Sequence, residues 1–123
     1  MGELVNKNFD KPDETRPFAA GTGHLDLIDT ASGGVGRAVF EPGWRWSLHI
    51  KPIVGTESCQ AHHTGYVVSG RMKIVMDEGE SAEIGPGDFI HITPGHDAWV
   101  LGDDPCVVLD WTGYADYAKP AAD

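Results

Sequence analysis

From Leu25 onward, hydrophobic and polar residues alternate in short runs that are separated by turn-forming residues. The runs are rich in branched and aromatic residues, and glycine, proline or aspartate bounds most of them, a pattern that predicts β-strands. The predicted strands cover residues 25–29, 35–40, 44–50, 66–69, 71–76, 81–84, 88–92, 98–101 and 106–111. Nine short strands with tight turns between them predict an all-β domain, either a sandwich or a barrel.

The two ends of the chain do not follow this pattern. Residues 1–24 have neither the period of a strand nor that of a helix, so we expect an irregular N-terminal arm. Residues 25–112 form the predicted domain, and residues 113–123 a C-terminal tail with one helical turn at 114–119 that Pro120 ends. The chain shows no internal repeat or linker, and 123 residues are the size of one ordinary domain.

The charge of the chain argues against two classes of partner. Lys and Arg number 9 against 19 Asp and Glu, which gives a formal net charge of −10. Because such a surface repels phosphate backbones and anionic lipids, we expect no nucleic-acid or membrane partner. No apolar run approaches the roughly 18 residues of a membrane span, and the first residues lack the basic and apolar stretches of a signal peptide. The expected location is the cytoplasm.

Candidate metal ligands cluster in the middle of the chain, which carries five of the six histidines: His49, His62, His63, His91 and His96. Glu57 and Cys59 lie among them, and both are good metal ligands. On an extended segment, the even spacing of Glu57, Cys59 and His63 directs all three side chains to one face, while His62 faces elsewhere. The alternative is that Cys59 is a small buried hydrophobic residue and His63 a hydrogen-bonded core residue.

The residues around this cluster resemble two motifs of the cupin superfamily. The first is the stretch 59–71, which contains Gly-Tyr-Val-Val-Ser-Gly, and the second runs from Gly-Pro-Gly-Asp at 85–88 to Thr-Pro-Gly-His at 93–96. The resemblance covers about residues 44–111. It implies a cupin jelly roll, that is a double-stranded β-helix in which two antiparallel sheets form a barrel around a central metal-binding pocket.

The resemblance also implies a ligand set that differs from the usual one. In the register of the first motif, His63 takes the position of a glutamate, while Cys59 and Glu57 take the positions of two histidines. The second motif supplies His96, which follows its Pro-Gly earlier than usual, with Asp97 as the alternative. A thiolate with two imidazoles suits one divalent, tetrahedral zinc ion, with Glu57 or water in the fourth position. Iron, nickel, copper and manganese remain open, as does a cupin without metal.

Three further residues are candidates for a substrate pocket: Trp46, His49 and Tyr66. In a strand at 44–50, Trp46 shares a face with Trp44 and Leu48, where it either lines a pocket or fills the barrel. His49 lies on the opposite face, as a pocket acid or base or as a surface residue. Tyr66 is a candidate anchor for an anionic substrate. The other cysteine, Cys106, is expected to be a buried strand residue.

Two functions follow from these expectations. The first is a small metal-dependent enzyme whose ion acts as a Lewis acid on a small polar or carboxylate metabolite. The alternative is a non-catalytic module that binds or senses a small ligand, because a fold does not fix a function. A general base beside the ion, Glu57 or His49, would favour the enzyme. A phosphate-handling enzyme is disfavoured, since the chain has no glycine-rich phosphate loop and few cationic residues.

A homodimer is the expected oligomeric state. Small cupins pair through a sheet edge and an N-terminal segment, and an open sheet edge is a liability that pairing removes. The predicted arm carries Leu4, Val5, Phe9 and Phe18, for which the arm itself offers no cover. We therefore expect these side chains to be buried against a second copy.

Overall fold

The computed structural model describes residues 4–31, 33–112 and 117, and β-strands dominate them. The strands are β1 (Glu14–Pro17), β2 (Gly23–Thr30), β3 (Gly33–Phe40), β4 (His63–Ser69), β5 (Arg71–Met76), β6 (Ser81–Ile84), β7 (Phe89–Ile92), β8 (His96–Leu101) and β9 (Cys106–Asp110). A 3-10 turn (Ala19–Gly21) and two one-turn helices, α1 (Trp46–His49) and α2 (Lys51–Val54), complete the described elements. The predicted all-β class is confirmed.

Two antiparallel sheets face each other. The larger sheet has the strand order β1-β2-β3-β9-β4-β7, and the smaller has the order β6-β5-β8. Strand β9, the last in the chain, lies between β3 and β4 and pairs antiparallel with both. This crossing connectivity is that of a jelly roll.

The core lies between the sheets and follows the period of 2 along the strands. In β9, for example, Cys106, Val108 and Asp110 are buried, while the residues between them are partly exposed. An aromatic cluster closes one end of the core: the ring of Trp44 lies 4.3 Å from that of Phe40, which stacks on Phe18 at 5.4 Å. Apolar burial of this kind supplies most of the stability of a domain this small.

The predicted strand at 44–50 is wrong, because most of these residues form α1. Trp44 and Trp46 are each 2% exposed whereas Leu48 is 61% exposed, which the strand period does not allow. Two contacts with β8 hold the segment in this conformation. The backbone N–H of Ser47 donates to Asp97 Oδ1 at 3.1 Å, and the Arg45 guanidinium covers the ring of Trp99 at 4.2 Å. Pro52 lies in the first turn of α2, where its fixed φ is tolerated.

The N-terminal arm is less irregular than expected. Its strand β1 pairs antiparallel with β2 and so forms an edge of the larger sheet. Phe18 is 4% exposed in the core, and the Arg37 guanidinium lies 4.8 Å from the centre of the Phe9 ring. The domain itself therefore covers these two aromatic rings, while Leu4 and Val5 are exposed.

At the C-terminus, the predicted helical turn at 114–119 lies outside the described residues except for Tyr117. The described helices are all too short to cross a membrane.

Candidate metal centre

Three potential metal ligands converge at one end of the space between the sheets. They are Cys59 in the loop before β4, His63 at the start of β4 and His96 at the start of β8. One donor atom from each side chain lies within 4.8 Å of the other two. The backbone fixes this meeting point, because the N–H of Cys59 donates to the carbonyl of His96 at 2.7 Å and the N–H of Gly95 donates to the carbonyl of Cys59 at 2.7 Å.

Hydrogen bonds orient both imidazole rings toward the cluster. His63 Nδ1 donates to Asp110 Oδ2 at 2.5 Å, and His63 Nε2 lies 3.7 Å from Cys59 Sγ. His96 Nδ1 donates to the carbonyl of Thr93 at 2.8 Å, which requires a proton on Nδ1 and leaves Nε2 to act as a ligand. A carboxylate or carbonyl behind each ring is the usual arrangement around metal-bound histidines.

Interactions within the cluster shift the pKa values of Cys59 and His63 in opposite directions. Burial raises the pKa of the Cys59 thiol, but hydrogen bonds and charges from His63 and His96 lower it by more, to about 6. Burial lowers the pKa of His63, but hydrogen bonds to Asp110 and Cys59 and the charges of these groups raise it, to about 9. Near neutral pH and without a metal ion, Cys59 and His63 therefore form a thiolate–imidazolium pair.

The other cysteine has the opposite environment. Cys106 is fully buried in β9 between apolar neighbours, and burial raises its pKa to about 11. It is therefore a neutral thiol, as the sequence predicted for a buried strand residue.

The spacing of Cys59 and His63 is close to that of two ligands around a tetrahedral metal ion. With a Zn–S distance of about 2.3 Å and a Zn–N distance of about 2.0 Å, ideal tetrahedral geometry puts sulfur and nitrogen about 3.5 Å apart. The observed separation between Cys59 Sγ and His63 Nε2 is 3.7 Å. One thiolate and two imidazoles, already pointed at a common centre, are a donor set that suits zinc.

Neighbouring residues hold the Cys59 loop and the His63 strand in place. Ser58 Oγ donates to Asp77 Oδ2 at 2.7 Å, and the N–H of Asp77 donates to the carbonyl of Gly95 at 2.8 Å. On β4, Gly65 pairs with Asp110, and a Cβ atom at Gly65 would lie 2.2 Å from the carbonyl oxygen of Leu109. Only glycine allows β4 and β9 to approach this closely, which brings Asp110 within reach of His63.

The structure does not bring Glu57 into the cluster. The chain bends at 57–58, so Glu57 and Cys59 do not share a face. The Glu57 side chain is 98% exposed, and its carboxylate lies 3.2 Å from Lys51 Nζ. Asp97, the alternative to His96, also lies outside the cluster, because its carboxylate anchors α1 and pairs with Arg45.

Of the three predicted pocket residues, only Trp46 lines the internal cavity. Trp46 is buried and lines the internal cavity. His49 and Tyr66 do not line it, since His49 Nδ1 accepts the backbone N–H of Arg45 and Tyr66 is 41% exposed on the outer face of β4. His62 points outward as expected, and its Nε2 lies 3.4 Å from Nδ1 of the exposed His91.

An internal cavity of about 60 Å³ adjoins the two histidines. Its described lining is aliphatic or aromatic, apart from His63, His96, Asp110 and the phenol of Tyr117. The Tyr117 ring lies edge-on to His63 at 5.5 Å, and burial raises the pKa of its phenol well above the usual value. None of the described lining residues is Lys or Arg.

Two residues of the site, Asp110 and Tyr117, were not predicted from the sequence. Asp110 carried a usable signal, because it continues the inward-facing alternation of Cys106 and Val108 on β9. A carboxylate at such a position needs a buried partner, which is His63. Tyr117 carried no such signal, since it follows no periodic run.

Comparison with known proteins agrees with this architecture. The family model described as "Cupin domain" matches residues 44–112. No curated protein matches the chain.

Among solved structures, the polyketide cyclase RemF from Streptomyces resistomycificus is similar with a TM-score of 0.64 and 17% identity, over 89% of this chain and 79% of that one. A sugar phosphate isomerase of the cupin superfamily from Silicibacter pomeroyi aligns with a TM-score of 0.60 and 19% identity, over 86% and 73%. A protein of unknown function from Acidithiobacillus ferrooxidans aligns with a TM-score of 0.61 and 17% identity, over 82% and 88%. Identities this low establish the fold alone.

Proposed function

Since this chain belongs to the cupin family and brings a thiolate and two imidazoles together, we propose that it is a small metal-dependent enzyme. Cys59, His63 and His96 hold one divalent transition ion, for which zinc is the best match to the donor set. The observation that supports this proposal is the convergence of the three donor atoms within 4.8 Å, with each imidazole hydrogen-bonded from behind.

Residues around the proposed ion have different roles at this site. When bound, the ion supplies Lewis acidity toward an oxygen of the ligand. Asp110 holds the proton on His63 Nδ1, so that Nε2 is available to the ion, and the carbonyl of Thr93 does the same for His96. Trp46 and its apolar neighbours exclude water from the cavity beside the ion.

The ligand is a small metabolite that fits the cavity beside the histidines. The sequence led us to expect a polar or carboxylate metabolite. The cavity offers little support for a carboxylate, because none of its described lining residues is cationic. A small ligand that presents one polar group to the ion suits this lining better.

A non-catalytic module that binds or senses a small ligand is the second candidate. It is favoured by the lack of an available general base among the described cavity residues. Glu57 and His49 both lie outside the cavity. The carboxylate of Asp110 is already hydrogen-bonded to His63 and to the N–H of Thr112.

The proposal also includes the oligomeric state and the partners of the protein. We expect a homodimer, for which the edge position of β1 and the exposed Leu4 and Val5 are the supporting features. Light scattering that gives the mass of one chain at micromolar concentration would contradict it. We also expect that the protein binds neither nucleic acid nor membranes, because of the net charge of −10.

Elemental analysis of the protein, purified without added metal or chelating resin, tests the proposed metal centre. We expect about one transition ion per chain, and its loss in Cys59→Ser and His63→Ala. Cys106→Ser is the matched control, since its buried thiol lies outside the cluster and its metal content should equal that of the wild type. Equal metal content in the wild type and in both ligand variants would overturn the proposal.

A further inference from the structure

A buried indole N–H next to the cavity lacks a hydrogen-bond partner. Trp44 is 2% exposed and lines the cavity, and no described residue offers an acceptor to its Nε1. An unpaired buried donor carries a free-energy penalty, and most buried donors in proteins are paired. Because Trp44 lines the cavity, an acceptor supplied from the cavity would remove this penalty.

The charges around the cavity favour an uncharged ligand. A divalent ion bound to the Cys59 thiolate, with the Asp110 carboxylate behind His63, gives a centre with no net charge. None of the described lining residues is Lys or Arg, and the whole chain carries a net charge of −10. An anion that entered the cavity would lose its hydration without gaining a cation to compensate.

The cavity is large enough for a small organic ligand. Its volume of about 60 Å³ is several times the roughly 10–15 Å³ that one bound water molecule needs when cavities are measured in this way. Because the lining is mostly aliphatic and aromatic, most of the ligand's atoms must be apolar to compete with water.

We propose that the cavity binds a small, uncharged and mainly apolar carbonyl or hydroxyl compound whose oxygen accepts the hydrogen bond of Trp44 Nε1. This proposal names the ligand class of the proposed function and, as a statement about the substrate, rests on it. The oxygen of such a ligand has two lone pairs, so it can accept the hydrogen bond of the indole and still face the ion, while the alkyl part occupies the apolar lining. Carboxylates and phosphates are excluded from the class.

Two probes of equal size and different charge test the proposal. Acetone and acetate each have four non-hydrogen atoms, but acetate is charged, and therefore only acetone belongs to the class. A ligand of this size binds no more tightly than about 40 µM even at the highest ligand efficiency, and we expect about 1 mM for acetone. The measurement is the ¹H–¹⁵N spectrum of the indole groups, recorded on metal-free and on zinc-loaded protein, with the Trp44 signal assigned by its loss in Trp44→Phe.

We expect acetone to move the Trp44 indole proton downfield and to saturate, while acetate at the same concentration leaves it in place. In Trp44→Phe, acetone affinity, followed on the methyl signal of Ala98 in the cavity lining, should fall several-fold. In the control Trp99→Phe it should be unchanged, since Trp99 lies outside the cavity.

No shift with acetone, or an equal shift with acetate, overturns the proposed ligand class. The two proposals can fail separately. If the protein binds zinc and acetone leaves the Trp44 signal in place, the ligand class is wrong and the metal centre stands. If the protein fails to bind zinc and acetone still moves the signal, the proposed enzyme is wrong and the cavity retains its ligand class.

Discussion

Asp110 affects the charge of the candidate metal centre through its contact with His63. Its carboxylate accepts the Nδ1 proton of His63, and this contact helps to raise the pKa of His63 to about 9. The protonated imidazole in turn helps to lower the pKa of the Cys59 thiol to about 6. A carboxylate outside the cluster therefore favours the thiolate form of Cys59.

Replacing that carboxylate should weaken metal binding without removing a ligand. We expect Asp110→Asn to lower zinc affinity about 10-fold to 100-fold, because the amide holds the His63 tautomer poorly and carries no charge. Competition with a chromophoric chelator measures the affinity, and circular dichroism checks the fold. Asp103→Asn, at an exposed position, is the control. Unchanged affinity in Asp110→Asn would show that the contact does not support the site.

The thiolate itself can be observed in metal-free protein. The absorbance at 240 nm should rise through a transition near pH 6, the pKa of Cys59, because the thiolate forms as pH increases past that value. The transition should disappear in Cys59→Ser and persist in Cys106→Ser. A midpoint near the unperturbed value of about 8.5 would contradict the thiolate–imidazolium pair.

Among the secondary-structure elements, the alternation of hydrophobic and polar residues predicted most of the strands, but it also predicted one strand, at 44–50, that does not form. The predicted strands 71–76 and 81–84 match β5 and β6, because turn residues bound these runs on both sides. The segment 44–50 also alternates, yet it forms α1, which depends on a contact with Asp97 that lies about fifty residues further along the chain. A local sequence pattern carries no information about such long-range contacts. For the same reason it wrongly predicted that Glu57 shares a face with Cys59.

The loop that carries Cys59 should depend on its contact with the β5–β6 turn. Removing either partner of the Ser58–Asp77 hydrogen bond, by Ser58→Ala or Asp77→Ala, should lower zinc affinity several-fold, because Cys59 is then held less firmly. The double variant should lose little more than either single variant, since both remove one interaction. Asp104→Ala, in an exposed turn, is the control. Full additivity in a chelator competition would argue against a shared role.

For the whole molecule, the ion would connect segments that are distant along the chain. Cys59, His63 and His96 belong to a loop and two strands in different sheets, and Asp110 adds β9. The fold was predictable because the cupin motifs specify it, and the structure confirms the jelly roll. The same motifs predicted that Cys59, His63 and His96 lie close together, but they wrongly added Glu57. The composition of the cavity was not predictable, because it depends on which inward-facing residues of both sheets meet.

Metal binding should therefore stabilise the domain. Free ion at 100 times its dissociation constant contributes about 2.7 kcal/mol, which for a domain of this size is roughly 10 °C in Tm. A chelator should lower Tm by about this amount at pH 7.5 and have no effect on Cys59→Ser. The difference should shrink as pH falls below about 9, where a proton on His63 begins to compete with the ion, and more steeply below about 6, where the Cys59 thiol is protonated as well. A chelator effect of equal size in Cys59→Ser would contradict this account.

X-ray absorption spectroscopy at the metal edge tests the ligand set most directly. The account predicts one sulfur neighbour at about 2.3 Å together with nitrogen neighbours at about 2.0–2.1 Å, in four-coordinate geometry. The sulfur should be absent from any residual metal in Cys59→Ser. A first shell made only of oxygen and nitrogen in the wild-type protein would contradict the assignment of Cys59, His63 and His96 as the metal centre.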